Sequence, residues 1–253
     1  MSLVINAVSK TFGGSRILHD VSLSVPTGAI TGMIGPNGAG KSSLFAVIGG
    51  TIEADAGKVE FEGEDMLGRP PQARARLGLV RTFQVPRPFP HLTVRDNLAV
   101  AAPGQSGEGI FNALLGGMRV RTQEQKIRER AGELIDFLKL TPVADTPAGQ
   151  LSGGQRKLLE LGRAMMIEPK LVLLDEPFAG VNPVLFGEIS DRIRELNQSG
   201  IGFFIIEHNI RALARLVDAL HVLNHGALLA SGTPDEVLSQ PAVRDAYMGG
   251  GGV

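Results

Sequence analysis

The chain contains no cysteine. Disulfides, cysteine-based metal sites and thiol nucleophiles are therefore excluded, and a reducing compartment fits. An excess of charge of one sign is missing too, since 25 Lys and Arg face 26 Asp and Glu for a formal net charge of -1. A general nucleic-acid-binding role thus has no electrostatic support. No apolar run approaches the roughly 18 residues needed to cross a bilayer. The opening residues, MSLVINAVSK, lack an apolar h-region and a small-residue cleavage site, so no secretory signal is expected. Any link to a membrane must then run through a partner. The locally basic run from Arg119 to Arg130 is interrupted by Glu124 and Glu129 and reads as a solvated helix face.

What is present is ordinary globular usage: 253 residues, 43% hydrophobic and 20% charged. That suffices for one domain, or one domain with a subdomain. Residues 1–30 alternate apolar and polar positions, with turn signals at Gly13-Gly14 and Pro26-Thr27-Gly28, and predict short antiparallel strands. AITGMIG (29–35) reads as a buried strand entering a glycine-rich turn, followed by a helix from Lys41 to about Ile48. LVLLD (171–175) and GFFIIEH (202–208) read as buried parallel strands. Helical patterns fill 153–167, 184–198 and 209–217. Strands alternating with helices imply an α/β fold with a mostly parallel sheet covered on both faces. Between about 85 and 150 the texture changes to clustered prolines, a glycine-rich loop at 103–109 and helical spacing over 121–140. This predicts a helical subdomain inserted in the core, expected to span about 85–165. The single domain is expected to cover 1–248, with the glycine tail 249–253 disordered. His19, His91, His221 and His225 read as surface or capping residues.

Three motifs carry chemistry. Gly35-Pro-Asn-Gly-Ala-Gly40-Lys41-Ser42 fits G-x4-G-K-[ST]. Its backbone N–H groups can converge on phosphate oxygens at a helix N-terminus, Lys41 can reach the outer phosphates and Ser42 can ligate Mg²⁺. The pattern arises by chance in roughly one chain of this length in a hundred, so the strand–loop–helix context weighs heavily. Leu171-Val-Leu-Leu-Asp175-Glu176 ends an apolar strand in two carboxylates. Asp175 is placed to hold Mg²⁺ and Glu176 to orient or deprotonate an attacking water. Leu151-Ser152-Gly153-Gly154-Gln155 opens a helix and also satisfies a capping box. A capping box needs no paired glycines, which weaken a helix but permit close backbone approach to a ligand.

GPNGAGKS, LSGGQ and LLDEP in this order resemble the ATP-binding subunits of ABC transporters, over essentially the whole chain. The resemblance implies a P-loop NTPase (RecA-like) core with an N-terminal antiparallel β subdomain, an ATP hydrolase, and ATP with Mg²⁺ as ligands. It implies that Gln84 in RTFQ contacts Mg²⁺ and the lytic water, that His208 contacts the γ-phosphate, and that Phe12 stacks on adenine. It places Gly35, Asn37, Gly38, Gly40 and Ser43 around the phosphates. It implies a head-to-tail dimer in which Ser152, Gly153, Gly154 and Gln155 of one subunit complete the ATP site of the other. The implied partners are integral membrane permease subunits, a second ATPase subunit and, indirectly, a solute-binding protein, at the cytoplasmic face of the membrane. One departure stands out: Asn182 occupies a position where many members carry aspartate.

A narrower resemblance, to ATP-binding subunits of branched-chain amino acid importers, rests on RTFQ with PFPHLTVRDNLAVA, GIFNALLGG, DEPFAGVNP and GTPDEVLSQPAVRDAYMG. Similar segments occur in urea or amide importers and in lipopolysaccharide-export ATPases. A non-transport ABC ATPase usually shows a coiled-coil insertion or two cassettes, and a P-loop phosphotransferase has no use for LSGGQ. This chain shows one motif set, LSGGQ included.

Overall fold

The computed structural model describes residues 2–82, 88–105 and 117–248. In chain order the elements are β1 (Ser2–Phe12), β2 (Ser15–Pro26), β3 (Ile30–Ile34), α1 (Lys41–Ile48), β4 (Ala56–Phe61), β5 (Glu64–Asp65), α2 (Pro71–Arg76) and β6 (Leu79–Arg81). There follow α3 (Val94–Ala101), α4 (Gly117–Phe137), α5 (Gly153–Met165), β7 (Leu171–Asp175), α6 (Pro183–Gln198), β8 (Gly202–Ile206), α7 (Ile210–Ala214), β9 (Ala219–Asn224), β10 (Ala227–Gly232), α8 (Pro234–Ser239) and α9 (Pro241–Met248). The chain divides into two compact units. The first comprises residues 1–84, 169–179 and 193–253, the second 85–168 and 180–192.

The first unit holds two sheets. One runs β2-β1-β4-β5, with every pairing antiparallel. The other runs β10-β9-β3-β8-β7-β6, parallel throughout except for edge strand β10. Every residue of β3, β7 and β8 is buried, as expected of parallel strands covered on both faces. Phe45 of α1 stacks obliquely on Phe204 of β8, ring centroids 4.8 Å apart, and both side chains are fully buried. Burying each such side chain stabilises the fold by about 1.5–3 kcal/mol.

The N-terminal strands are antiparallel as expected but long, 11 and 12 residues, rather than short. Alternation breaks because the pair is bulged: register shifts fall beside Ala7 and Asp20, which adopt φ of 48° and 49°. The Ala7 N–H, displaced from its ladder, donates to Ser22 Oγ at 2.8 Å, and Ser9 Oγ donates to Asp20 Oδ1 at 2.8 Å. His221 corrects another expectation. It lies in β9 at 4% exposure, and its Nε2 faces the Ser24 carbonyl at 3.2 Å. Burial pushes this imidazole down from its usual range, so it is a neutral structural group and not a surface residue.

In the second unit α3, α4 and α5 pack together. Their apolar faces contribute Val94, Leu98, Ala131, Leu134, Ile135, Leu158 and Leu159. Gly162 permits close packing, since a Cβ there would sit 2.8 Å from Leu138 and 2.9 Å from Leu98. Buried Asn97 is satisfied on both sides: Oδ1 accepts from Phe89 N–H, and Nδ2 donates to the carbonyls of Phe89, Leu92 and Thr93. The glycine tail and most of the 103–120 loop lie outside the described residues.

Candidate functional site

β3 delivers the chain into the loop of residues 35–40, and α1 begins at Lys41. Gly40 is the N-cap, with φ 98°, and a Cβ there would meet Ile17 O and Leu18 Cδ2 at 2.9 Å each. At Gly35 a Cβ would lie 2.1 Å from Leu223 O. These positions accept no side chain. No side chain caps α1, so its first N–H groups remain available to an anion, favoured by the helix dipole. Lys41 is 6% exposed, and its Nζ donates to the carbonyls of Gly35 (2.7 Å) and Pro36 (2.9 Å). Burial lowers its pKa, and the charges of Glu176 and Asp175 oppose that shift.

A cavity of about 390 Å³ opens beside this loop. Phe12, Ile17, residues 37–43, Glu176 and His208 line it. Among the sequence-predicted residues, Phe12, Asn37, Gly38, Gly40, Lys41, Ser42, Ser43, Glu176 and His208 are therefore together, while Gln84 lies outside the described residues. Phe12 is 44% exposed at the end of β1, an aromatic face open to stacking.

Asp175 closes β7 nearly out of solvent, its side chain 2% exposed. Arg81 Nη2 donates to its Oδ2 at 3.0 Å, but Oδ1 is buried and has no hydrogen-bond partner. Burial raises the Asp175 pKa, and the Arg81 guanidinium opposes that rise. A bare buried carboxylate oxygen and the exposed Ser42 hydroxyl are hard donors of the kind Mg²⁺ takes, so the residues fit the ion. Among the described residues no cluster of three or more His, Asp or Glu side chains could hold a metal by itself. Phosphate oxygens and water would have to complete the shell, as is usual for Mg²⁺.

Glu176 sits in the left-handed backbone region, φ 52°, a strain of about 1–3 kcal/mol at the turn where the chain leaves β7. Its Oε1 lies 2.7 Å from His208 Nε2. Glu207, which the sequence reading passed over, supports both neighbours. Its carboxylate is 4% exposed and accepts from Phe178 N–H at 2.7 Å and His208 N–H at 3.1 Å. A buried acid ending an apolar strand was the available signal. Tyr247 of α9 was also missed: burial pushes its phenol up to about 12, and a backbone hydrogen bond from Gly35 works against the rise.

In the second unit Ser152 is the N-cap of α5. Its Oγ accepts from Gln155 N–H at 3.2 Å, and Gln155 Oε1 accepts from Ser152 N–H at 2.9 Å. The capping box is thus real. It does not account for the paired glycines, which divide. Gly154 is buried, where a Cβ would meet Leu185 Cδ2 at 2.0 Å, so packing explains it. Gly153 is exposed with open space around it, so packing does not account for it. Asn182 N-caps its own helix, Oδ1 accepting from Leu185 N–H at 2.9 Å. Asn and Asp cap equally well, so the missing charge costs this helix nothing.

A sequence profile described as ABC transporter matches residues 18–179, and one described as branched-chain amino acid ATP-binding cassette transporter matches 227–253. The chain is 43% identical to a probable branched-chain amino acid transport ATP-binding protein of Archaeoglobus fulgidus, covering 96% of this chain and 93% of that one. It is 34% identical to the lipopolysaccharide export system ATP-binding protein of Escherichia coli, over 98% of this chain and 97% of that one. It superposes with TM-score 0.84 and 40% identity on the ADP conformation of an ATP-binding cassette of an ABC transporter, covering 98% of this chain and 99% of that one.

Proposed function

Because the chain belongs to the ABC transporter family of ATP-binding proteins, we propose that two such cassettes clamp ATP between them and so power transport through partner membrane proteins. The chain is an ATP hydrolase of that family. The observation that supports the finer reading is the cavity in which the bare N-terminus of α1 and Lys41 share one space with the Glu176–His208 pair.

In this reading Lys41 exchanges its two carbonyl partners for the outer phosphates of ATP, and Phe12 stacks on the base. When bound, Mg²⁺ neutralises phosphate charge, and Ser42 and Asp175 would hold it. Glu176 takes the proton of the attacking water, while His208 orients that carboxylate and faces the departing phosphate. By the family resemblance, Gln84 is assigned to the same water and to Mg²⁺. A lone P-loop leaves one side of the γ-phosphate in water. Ser152, Gly153 and Gln155 of a second subunit, at another helix N-terminus, would cover that side and add donors. Hydrolysis removes the shared phosphate and loosens the clamp, the differential affinity that can drive a transporter between states.

For the cargo we propose branched-chain amino acid import, supported by the name of the 43% identical relative and the profile match over 227–253. No helix among the described residues is long and apolar enough to cross a membrane, so a permease supplies the path. Tagged protein purified from its native membranes is expected to bring integral membrane subunits and a second ATP-binding subunit. The complex's ATPase is expected to rise with a solute-binding protein loaded with leucine, isoleucine or valine. Recovery free of membrane proteins, or with a lipopolysaccharide-export assembly, contradicts this assignment.

A further inference from the structure

Arg81 takes no part in the mechanism above, yet it touches the metal-side carboxylate. It ends β6, in register with Leu173 of the neighbouring β7. From there its guanidinium is anchored twice: Nη2 donates to Asp175 Oδ2 at 3.0 Å and Nη1 to Thr51 Oγ1 at 3.2 Å. The path exists because of Gly49, the C-cap of α1, where a Cβ would lie 2.8 Å from Arg81 Cδ. A Cβ at 49 would force the arginine stem to shift. The pair is largely out of solvent, with side chains 18% and 2% exposed, so the ion pair is weakly screened.

The asymmetry at Asp175 is informative. A buried carboxylate free to turn about its last torsion presents either oxygen in any direction, whereas here one oxygen is fixed by a cation and the other is bare. We propose that Arg81 is the positioning residue of Asp175, holding Oδ2 so that Oδ1 stays fixed in direction and open to the divalent cation of the ATP complex. The inference rests on the reading of Asp175 as the metal carboxylate. Partners of this kind, one step removed from the ion, typically change metal affinity 10–100-fold when lost, because they set ligand orientation and charge. Lysine keeps the charge and can reach one oxygen but cannot bridge Asp175 and Thr51 with a planar fork.

The test uses Mn²⁺, titrated by electron paramagnetic resonance against the intact protein loaded with a non-hydrolysable ATP analogue. Arg81→Met is expected to weaken Mn²⁺ binding about 10-fold or more, with metal-free analogue affinity unchanged. Arg81→Lys, which keeps the charge but not the bridge to Thr51, should recover only part of the loss. In turnover, the KM for Mg²⁺ should rise while the KM for ATP at saturating metal stays put. Should Arg81→Met not fold, Gly49→Ala displaces the arginine without changing a charge, and the same weakening is expected. Unchanged or tighter Mn²⁺ binding, or Lys no better than Met, overturns the proposal. Asp175→Asn separates the two readings. If it leaves Mn²⁺ affinity intact, the metal reading of Asp175 fails. If it weakens binding while Arg81→Met does not, the role of Arg81 alone fails.

Discussion

Glu176→Gln is expected to slow ATP turnover at least ~10²-fold while leaving ATP binding intact, the loss of a general base. Glutamine keeps the shape and can still hydrogen-bond His208 across the present 2.7 Å, but it cannot accept the proton of water. The left-handed backbone at 176 is no harder for Gln than for Glu, so the fold is expected to persist. The variant should therefore hold ATP in a lasting dimer. Phosphate release in a single turnover and size exclusion with ATP and Mg²⁺ measure both halves. Wild-type turnover would remove Glu176 from the chemistry, and a strictly monomeric ATP complex at high concentration would count against the clamp.

Ser152→Arg is expected to abolish hydrolysis with monomeric ATP affinity nearly unchanged, because Ser152 acts on the ATP of the other subunit. The capping box complicates this substitution, since losing a serine N-cap costs about 0.5–2 kcal/mol. A fall in thermal midpoint of a few degrees is thus expected as well. Ser152→Asp separates the two effects. Aspartate caps as well as serine, so stability should hold, yet its charge would face the γ-phosphate and hydrolysis should still be lost. Equilibrium titration of a fluorescent ATP analogue at low protein concentration reports the monomer. A large loss of affinity there would mean that Ser152 serves its own site.

The chemistry was legible because it is written in local patterns. A phosphate cradle needs glycines at fixed spacing before a helix, and a buried strand must be apolar until it surfaces at its carboxylates. The positions of Lys41, Glu176 and His208 around one cavity follow from those patterns and from parallel strand order. What was hidden depends on partners distant in sequence. The Arg81–Asp175 pair spans 94 residues, and Phe178 to Glu207 spans 29. The bulges at Ala7 and Asp20 break the period that strand reading relies on, so two long strands looked like several short ones. His221 looked like a surface residue because histidine suits turns. Its burial follows only once β9 is seated between β10 and β3. Asn182 read as a departure, and the structure shows it capping α6.

The most direct test of the clamp is the structure of the Glu176→Gln variant with ATP and Mg²⁺. The account expects each γ-phosphate within about 2.7–3.2 Å of both Lys41 Nζ from one subunit and Ser152 Oγ from the other. A γ-phosphate that meets Lys41 but lies open to solvent, with Ser152 of both subunits turned away, would contradict it.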